Sequence, residues 1–295
     1  MNSSASRRDF LKAGAAVGAG LSLVGLGGRP LWAAATAGGA PHAEKLGWRL
    51  GCQAYSFNRF TFFEAIDKNA SLGLHVIEGF PGQRISKANS AAMGESLSAA
   101  ARKEVKSKLA DSGVKLVNFG VTGASRPMFE FAKDMGIETI VSEPAENSFD
   151  SLDKLCEEYQ IHIAIHNHPQ PSHYWNPDTV LKVCKGRSKW IGACADTGHW
   201  MRSGLDPIEC LKKLEGRIVS FHFKDLNKMG HDAHDVPWGT GKGNVKGMLT
   251  EIYRQKLKAV FSIEYEYNWD NSVPDMAESV AYFDKVAAEL AAGHL

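Results

Sequence analysis

Cysteine is scarce and unpatterned in this chain of 295 residues. Its five cysteines, Cys52, Cys156, Cys184, Cys194 and Cys210, are odd in number and show no CxxC spacing, so neither a disulfide framework nor a thiolate metal clamp is indicated. Cys52 and Cys194 sit inside apolar runs and read as small core hydrophobes. Charge of one sign is missing too. A net charge of +1 argues against a protein that grips a nucleic-acid backbone, which concentrates Lys and Arg to displace counterions. Nothing in a composition 44% hydrophobic and 23% charged suggests disorder. No GxGxxG follows the first strand-like run, where Gln53-Ala54-Tyr55-Ser56-Phe57 stands instead, so an open dinucleotide-binding sheet lacks support. No GxxxxGK[ST] is present either. The weakly apolar Ala/Gly run over 13–28 is short and glycine-rich for a membrane-spanning helix.

What is present is alternation. Apolar strand-like runs over 50–55, 74–78, 115–119, 139–142, 162–166, 190–195, 218–223 and 259–265 are separated by stretches with apolar residues three and four apart. Helices are expected at 62–72, 98–111, 148–159 and 206–215 among others. Strict β/α alternation implies a parallel sheet with right-handed crossovers, and eight such units in about 250 residues is the size of a (β/α)8 TIM barrel. The longest connections, 80–97 and 226–245, follow strands two and seven and so lie on the face where barrel enzymes carry their sites.

Four strands end in a metal-ligating side chain. Ile191-Gly192-Ala193-Cys194-Ala195-Asp196 stops in a carboxylate and turns through Thr197-Gly198 to His199, while the other three runs end in Glu143, His222 and Glu264. Converging at one barrel mouth, Glu143, Asp196, His222 and Glu264 make a cage of three carboxylates and one imidazole for a divalent ion. A single carboxylate past a strand more often caps a helix; four phased to strand ends are not explained that way. Glu266 shares a strand face with Glu264 and is the fallback ligand.

Strand five ends His166-Asn167-His168, and alternation puts both histidines on one side. Each is a candidate fifth ligand, substrate partner or support for a ligand, with His168, nearer the mouth, preferred as the substrate contact. His199 lies three residues beyond Asp196 and suits a second contact to the same substrate oxygen. Lys224 shares the face of His222, where it either holds a substrate oxygen or pairs with Asp225 at the rim. The glycine-rich loop 236–244 offers amides for a phosphate or serves as a lid. Glu78 and the aromatics Tyr55 and Phe57 add a carboxylate and a stacking surface.

The N-terminus carries Ser6-Arg7-Arg8-Asp9-Phe10-Leu11-Lys12, then the Ala/Gly run, then small residues after Leu31-Trp32. This resembles a twin-arginine (Tat) signal, which implies export after folding, with the Tat machinery as partner and the folded part outside the cytoplasmic membrane. The expected organisation is a signal over 1–37, a linker over 38–47 and a barrel over 48–295.

Glu143, His166-Asn167-His168, Asp196-Thr197-Gly198-His199, His222-Phe223-Lys224-Asp225 and Glu264, with a GxG loop before strand eight, resemble the xylose isomerase-like TIM barrel superfamily of sugar phosphate isomerases and epimerases. The resemblance implies one divalent ion (Mn, Co, Mg or Zn) on Glu143, Asp196, His222 and Glu264. It also implies that Glu143 and Glu264 move protons, that His199 touches substrate, and that the reaction is sugar isomerisation or epimerisation through a metal-stabilised enediolate. The His-Asn-His run departs from the Glu-bearing strand five of many members. Alternatives are β-elimination from a 3-keto-glycoside, a non-catalytic sugar-binding barrel, and an apurinic endonuclease, the last needing a multi-zinc site and a basic surface. A small carbohydrate is the expected ligand, nucleic acid is not, and a homo-oligomer is compatible with the composition.

Overall fold

The computed structural model describes residues 38–293, so the signal expected over 1–37 lies outside the described residues. Eight strands close into a parallel barrel in sequence order: β1 Arg49–Gln53, β2 Val76–Gly79, β3 Lys115–Phe119, β4 Thr139–Ser142, β5 His162–His166, β6 Ile191–Asp196, β7 Ile218–Phe223 and β8 Val260–Ile263, which pairs back with β1. Helices α2 Phe62–Ser71, α3 Ala99–Asp111, α4 Arg126–Met135, α5 Phe149–Tyr159 and α6 Pro177–Cys184 lie between the first six strands. The short α7 Thr197–Arg202 and α8 Pro207–Lys213 follow β6, α9 Val245–Arg254 follows β7, and α10 Val273–Ala291 follows β8. Residues 38–47, expected as a linker, include α1 Pro41–Lys45, whose His42 and Ala43 backbone amides donate to Asp284 of α10. No helix among the described residues is long and apolar enough to cross a membrane.

Alternation along the strands sorts the side chains. On β5 to β8 the odd-numbered Ile163, Ile165, Ala193, Ala195, Phe221, Phe223, Phe261 and Ile263 join the large core. There Phe221 stacks on Phe261 at 4.5 Å between ring centroids, and Phe261 meets Phe283 of α10 at 5.1 Å. Of the even-numbered residues, Ala164 and Cys194 pack with Val141 in a separate small cluster. His166, Asp196, His222 and Glu264 come two residues further along the same faces, so each strand carries an apolar or small residue first and a chemical one at its C-terminal end. Register sets Asp196 beside His222 and His222 beside Ser262.

Helix starts are marked in the sequence. Thr61 and Glu64 form a reciprocal capping box on α2, and Ser98 and Ser125 accept from the first turns of α3 and α4. Asp196 is at once the last residue of β6 and the cap of α7, so one carboxylate oxygen is tied to the backbone and the other faces the side chains at the barrel mouth.

Candidate active site

Asp196 Oδ1 accepts the His199 amide at 2.7 Å, while Oδ2 lies 2.8 Å from Lys224 Nζ, 3.5 Å from His166 Nε2 and 3.6 Å from His199 Nε2. Glu264 Oε2 lies 2.6 Å from Lys224 Nζ and 3.2 Å from His222 Nδ1. One ligand atom from each of His166, Asp196, His222 and Glu264 falls within 4.8 Å of the others, and all four residues are buried.

The two imidazoles are held in the same manner. His222 Nε2 is bonded to Glu78 Oε1 at 2.8 Å, and Glu78 is fixed in turn by Ser262 Oγ donating at 2.6 Å. His166 Nδ1 is bonded to Glu143 Oε1 at 3.1 Å. With one ring nitrogen of each histidine engaged by a carboxylate, the other, His222 Nδ1 and His166 Nε2, is buried without a hydrogen-bond partner. A buried polar atom left unpaired is costly, and an imidazole backed by a carboxylate is the usual setting of a metal ligand. Two imidazole nitrogens that make no hydrogen bond, set 3.2 and 3.5 Å from the Glu264 and Asp196 oxygens that Lys224 also holds, form a donor set that fits a divalent cation.

Glu143, paired with Glu264 at the ion by the family resemblance, stands in a second group with His166 and His168. Its Oε1 accepts from the His168 amide at 3.0 Å and lies 2.6 Å from His168 Nδ1, and its Oε2 accepts from Ser172 Oγ at 3.1 Å. Burial works to raise its pKa, but the hydrogen bonds from His166 and His168 outweigh it and hold Glu143 below the usual carboxylate range. His168, about half exposed, carries this pairing to the mouth.

Lys224 reaches the site but does not pair with Asp225. Its ammonium bonds Asp196, Glu264 and, at 3.1 Å, Glu266; although burial opposes its charge, these carboxylates hold its pKa well above the ordinary lysine value. Its stem passes so close to Gly198 that a Cβ there would meet Lys224 Cδ at 2.7 Å, which explains the glycine of Thr197-Gly198-His199. Burial pushes Asp196 and Glu264 up, yet His199 and Lys224 beside the former, and Lys224 and His222 beside the latter, bring both well below the carboxylate norm. Burial drives the His199 pKa well below its ordinary value despite the opposing pull of Asp196.

Asp225 turns to the glycine loop. The amides of Gly239, Gly241 and Gly243 each donate to its carboxylate at 2.9 Å, and a Cβ on Gly241 would meet Asp225 Oδ1 at 2.3 Å. The nest that the glycine pattern offers for a phosphate is thus filled by the chain's own anion.

Some members of the site carry little sequence signal. Arg202 Nη1 donates to Glu266 at 2.6 Å and lies 3.1 Å from His199 Nδ1, while Nη2 donates to Asp235 at 3.1 Å. Asp235 is buried, and desolvation pushes its pKa up to about 7 against the pull of Lys224 and Arg202. Gln53 donates to Gly120 O at 2.7 Å and approaches Glu78 at 3.4 Å. Only its place at the end of β1 marks Gln53, and nothing in the 226–245 connection marks Asp235. Trp200, the next residue after His199, is packed in the core.

Above these groups opens a cavity of about 400 Å³, lined by His168, His199, Glu264 and Glu266 on its polar side and by Tyr55 and Phe80 on its aromatic side. The volume falls in the range of about 300–1,000 Å³ usual for small-molecule sites.

Comparison with known proteins agrees with the barrel fold. A structure of an uncharacterised protein from Parabacteroides distasonis is 32% identical, with 81% of this chain and 99% of that chain covered at a TM-score of 0.67. A D-tagatose 3-epimerase-like protein shares the fold at 17% identity and a TM-score of 0.66, over 82% of this chain and 99% of that one. In sequence, an inosose dehydratase of Mesomycoplasma hyopneumoniae is 27% identical over 124 residues, 39% of this chain. The chain spans only 32% and 40% of the length of the curated relatives it matches. A twin-arginine translocation signal matches residues 4–24, which marks the protein for export by that pathway. The xylose isomerase-like TIM barrel profile matches residues 66–286, and the chain belongs to that family.

Proposed function

We propose that the protein is an exported sugar isomerase or epimerase that moves a proton on a carbon next to a carbonyl, assisted by one divalent ion on His166, Asp196, His222 and Glu264. The observation that carries this reading is the pair of bare, buried imidazole nitrogens facing two carboxylates, each ring fixed from behind by a further carboxylate. A mixed nitrogen and oxygen donor set favours Mn, Co or Zn over Mg. Bound there, such an ion supplies a Lewis acid for the carbonyl oxygen, several kcal/mol of charge stabilisation that a free carboxylate base lacks.

The chain's own groups handle the proton. His168, with Nδ1 on Glu143, is left with Nε2 as the proton carrier at the pocket, in the arrangement by which a carboxylate orients a general base. In this reading Glu143 acts through His168 and His166. Glu264 and Glu266 reach the pocket from β8, on a different side of the mouth from β5, and give the second carrier that epimerisation or isomerisation requires. Arg202 orients Glu266 and His199, and His199 serves as a substrate hydrogen-bond partner. The filled Asp225 nest favours an unphosphorylated sugar. A non-catalytic sugar-binding barrel has no use for the Glu143–His168 pair.

A second reading, β-elimination, is favoured by the inosose dehydratase relative. In it His168 takes the proton next to the carbonyl, the electron pair forms the double bond as the carbon–oxygen bond breaks, and the leaving oxygen departs with the proton that His168 has taken up.

The direct test of the ion is equilibrium dialysis of mature protein against Mn²⁺, Co²⁺ and Zn²⁺. One ion per chain, lost in His222→Ala, is expected; no ion, or an ion retained by that variant, overturns the assignment.

A further inference from the structure

The two carboxylate oxygens offered to an ion are shared with a cation of the chain itself. Asp196 Oδ2 and Glu264 Oε2 face the imidazole nitrogens of His166 and His222, and the same two atoms lie 2.8 and 2.6 Å from Lys224 Nζ. The Lys224 side chain is fully buried, so water does not screen its charge from whatever binds beside it. A third carboxylate oxygen, Glu266 Oε2, stands 3.1 Å from the ammonium and lies outside the four residues proposed to hold the ion. Arg202 Nη1 donates to that same oxygen at 2.6 Å and so fixes it.

Most of Lys224 is held in place. Its amide donates to Thr197 Oγ1 at 2.8 Å, and its carbonyl accepts from that hydroxyl at 2.9 Å. Along the stem, a Cβ on Gly198 would meet Lys224 Cβ at 2.8 Å and Cδ at 2.7 Å, so the chain of carbons is packed against that glycine as far as Cδ. The freedom left is rotation about the last bonds, which carries Nζ among three carboxylates. An ammonium and a divalent ion on the same two oxygens stand a few ångströms apart in a buried site and repel strongly.

We infer that Lys224 is the site's own exchangeable cation: its ammonium bridges Asp196 and Glu264 until a divalent ion takes their oxygens, and it then turns to Glu266 alone. This rests on the metal reading above and deepens it, making ion binding an exchange of one cation for another. A monovalent ion brings no more charge than the ammonium it displaces, so the exchange favours a divalent one. Two effects of opposite sign follow. Removing the ammonium strengthens ion binding, whereas removing the charge of Glu266 weakens it, because the displaced ammonium then has no free carboxylate to turn to.

Equilibrium dialysis of Zn²⁺ against mature wild type, Lys224→Met, Glu266→Gln and Arg202→Met reads the exchange without relying on turnover. Lys224→Met is expected to bind the ion about tenfold or more tightly than wild type, and Glu266→Gln about tenfold more weakly. Arg202→Met removes a charge bonded to Glu266 and Asp235 rather than to the ligand oxygens, and raises affinity by less than Lys224→Met. Crystal structures of wild type with chelator and with Zn²⁺ read the movement itself and depend on no variant folding. With zinc bound, Nζ lies beyond hydrogen-bond reach of Asp196 and Glu264, more than about 3.5 Å away, and keeps Glu266. Overturning results are a Lys224→Met affinity no higher than wild type, an equal rise in Arg202→Met, or an ammonium still on Asp196 and Glu264 beside bound zinc. Any of these with zinc bound removes the role of Lys224 and leaves the metal site; no zinc on wild type or on Lys224→Met removes the metal reading and this inference with it.

Discussion

His222 and His166 owe their bare nitrogens to residues that do not themselves reach the pair of carboxylates. Glu78 is therefore a positioning residue: Glu78→Gln keeps the fold but weakens the hold on His222, and metal affinity measured by dialysis should fall about 10–100-fold. Unchanged affinity would separate Glu78 from the ion. His168→Ala should lower proton exchange about 10²–10⁴-fold while the bound-metal content stays at the wild-type level, the signature of a lost base rather than a lost ligand. Asp196, His222 and Glu264 were legible as neighbours because strand parity and the abrupt C-terminal ends put them on one face at one level. Glu143 was legible as a strand-end carboxylate, but its engagement with His166 and His168 was not, since a hydrogen bond between adjacent strand ends leaves no periodic trace. Asp235 is placed by a long connection whose path depends on the Asp225–glycine contacts, and sequence spacing does not encode that path.

Among the elements, β3, β4, β5 and β7 run over the very residues expected from their apolar runs, and the others differ by one or two residues at their ends. Buried parallel strands read as continuous apolar runs, and helices announce themselves by caps, so both were open to inspection. The helix in 38–47 was hidden by its brevity and by a Gly/Ala/Pro context; it is held by Asp284, 241 residues away from Ala43. The α2 capping box gives a test at this scale. Thr61→Ala should cost about 1 kcal/mol in denaturant unfolding. Hydrogen bonds from Lys87 and then Thr61 lower the Glu64 pKa from 4.5 to about 2. Because the folded value lies below the unfolded one, its contribution is fully present above pH 4.5 and is lost as pH falls toward 2. Unfolding curves of Glu64→Gln should therefore show a shallower loss of stability across that window than wild type; equal slopes would show that Glu64 does not contribute.

For the molecule as a whole, eight alternating units dictated the closed barrel, and closure brings residues from β2, β5, β6, β7 and β8 within one small volume. The twin-arginine signal adds a route: the fold, and whatever it holds, is completed before export. The cavity lined by Phe80 and Tyr55 could not be foreseen, because a cavity is what packing leaves between the connections. Solvent deuterium incorporation is the measurement that tests the proposed chemistry most directly. Mature protein is followed by NMR with a panel of ketoses and 3-keto-glycosides, with and without chelator and alongside Glu264→Gln. Exchange at the carbon next to the carbonyl, abolished by the chelator and by Glu264→Gln, is the expected result. An ion bound in the dialysis experiment with no exchange on any member of the panel, or exchange that survives both the chelator and Glu264→Gln, would contradict it.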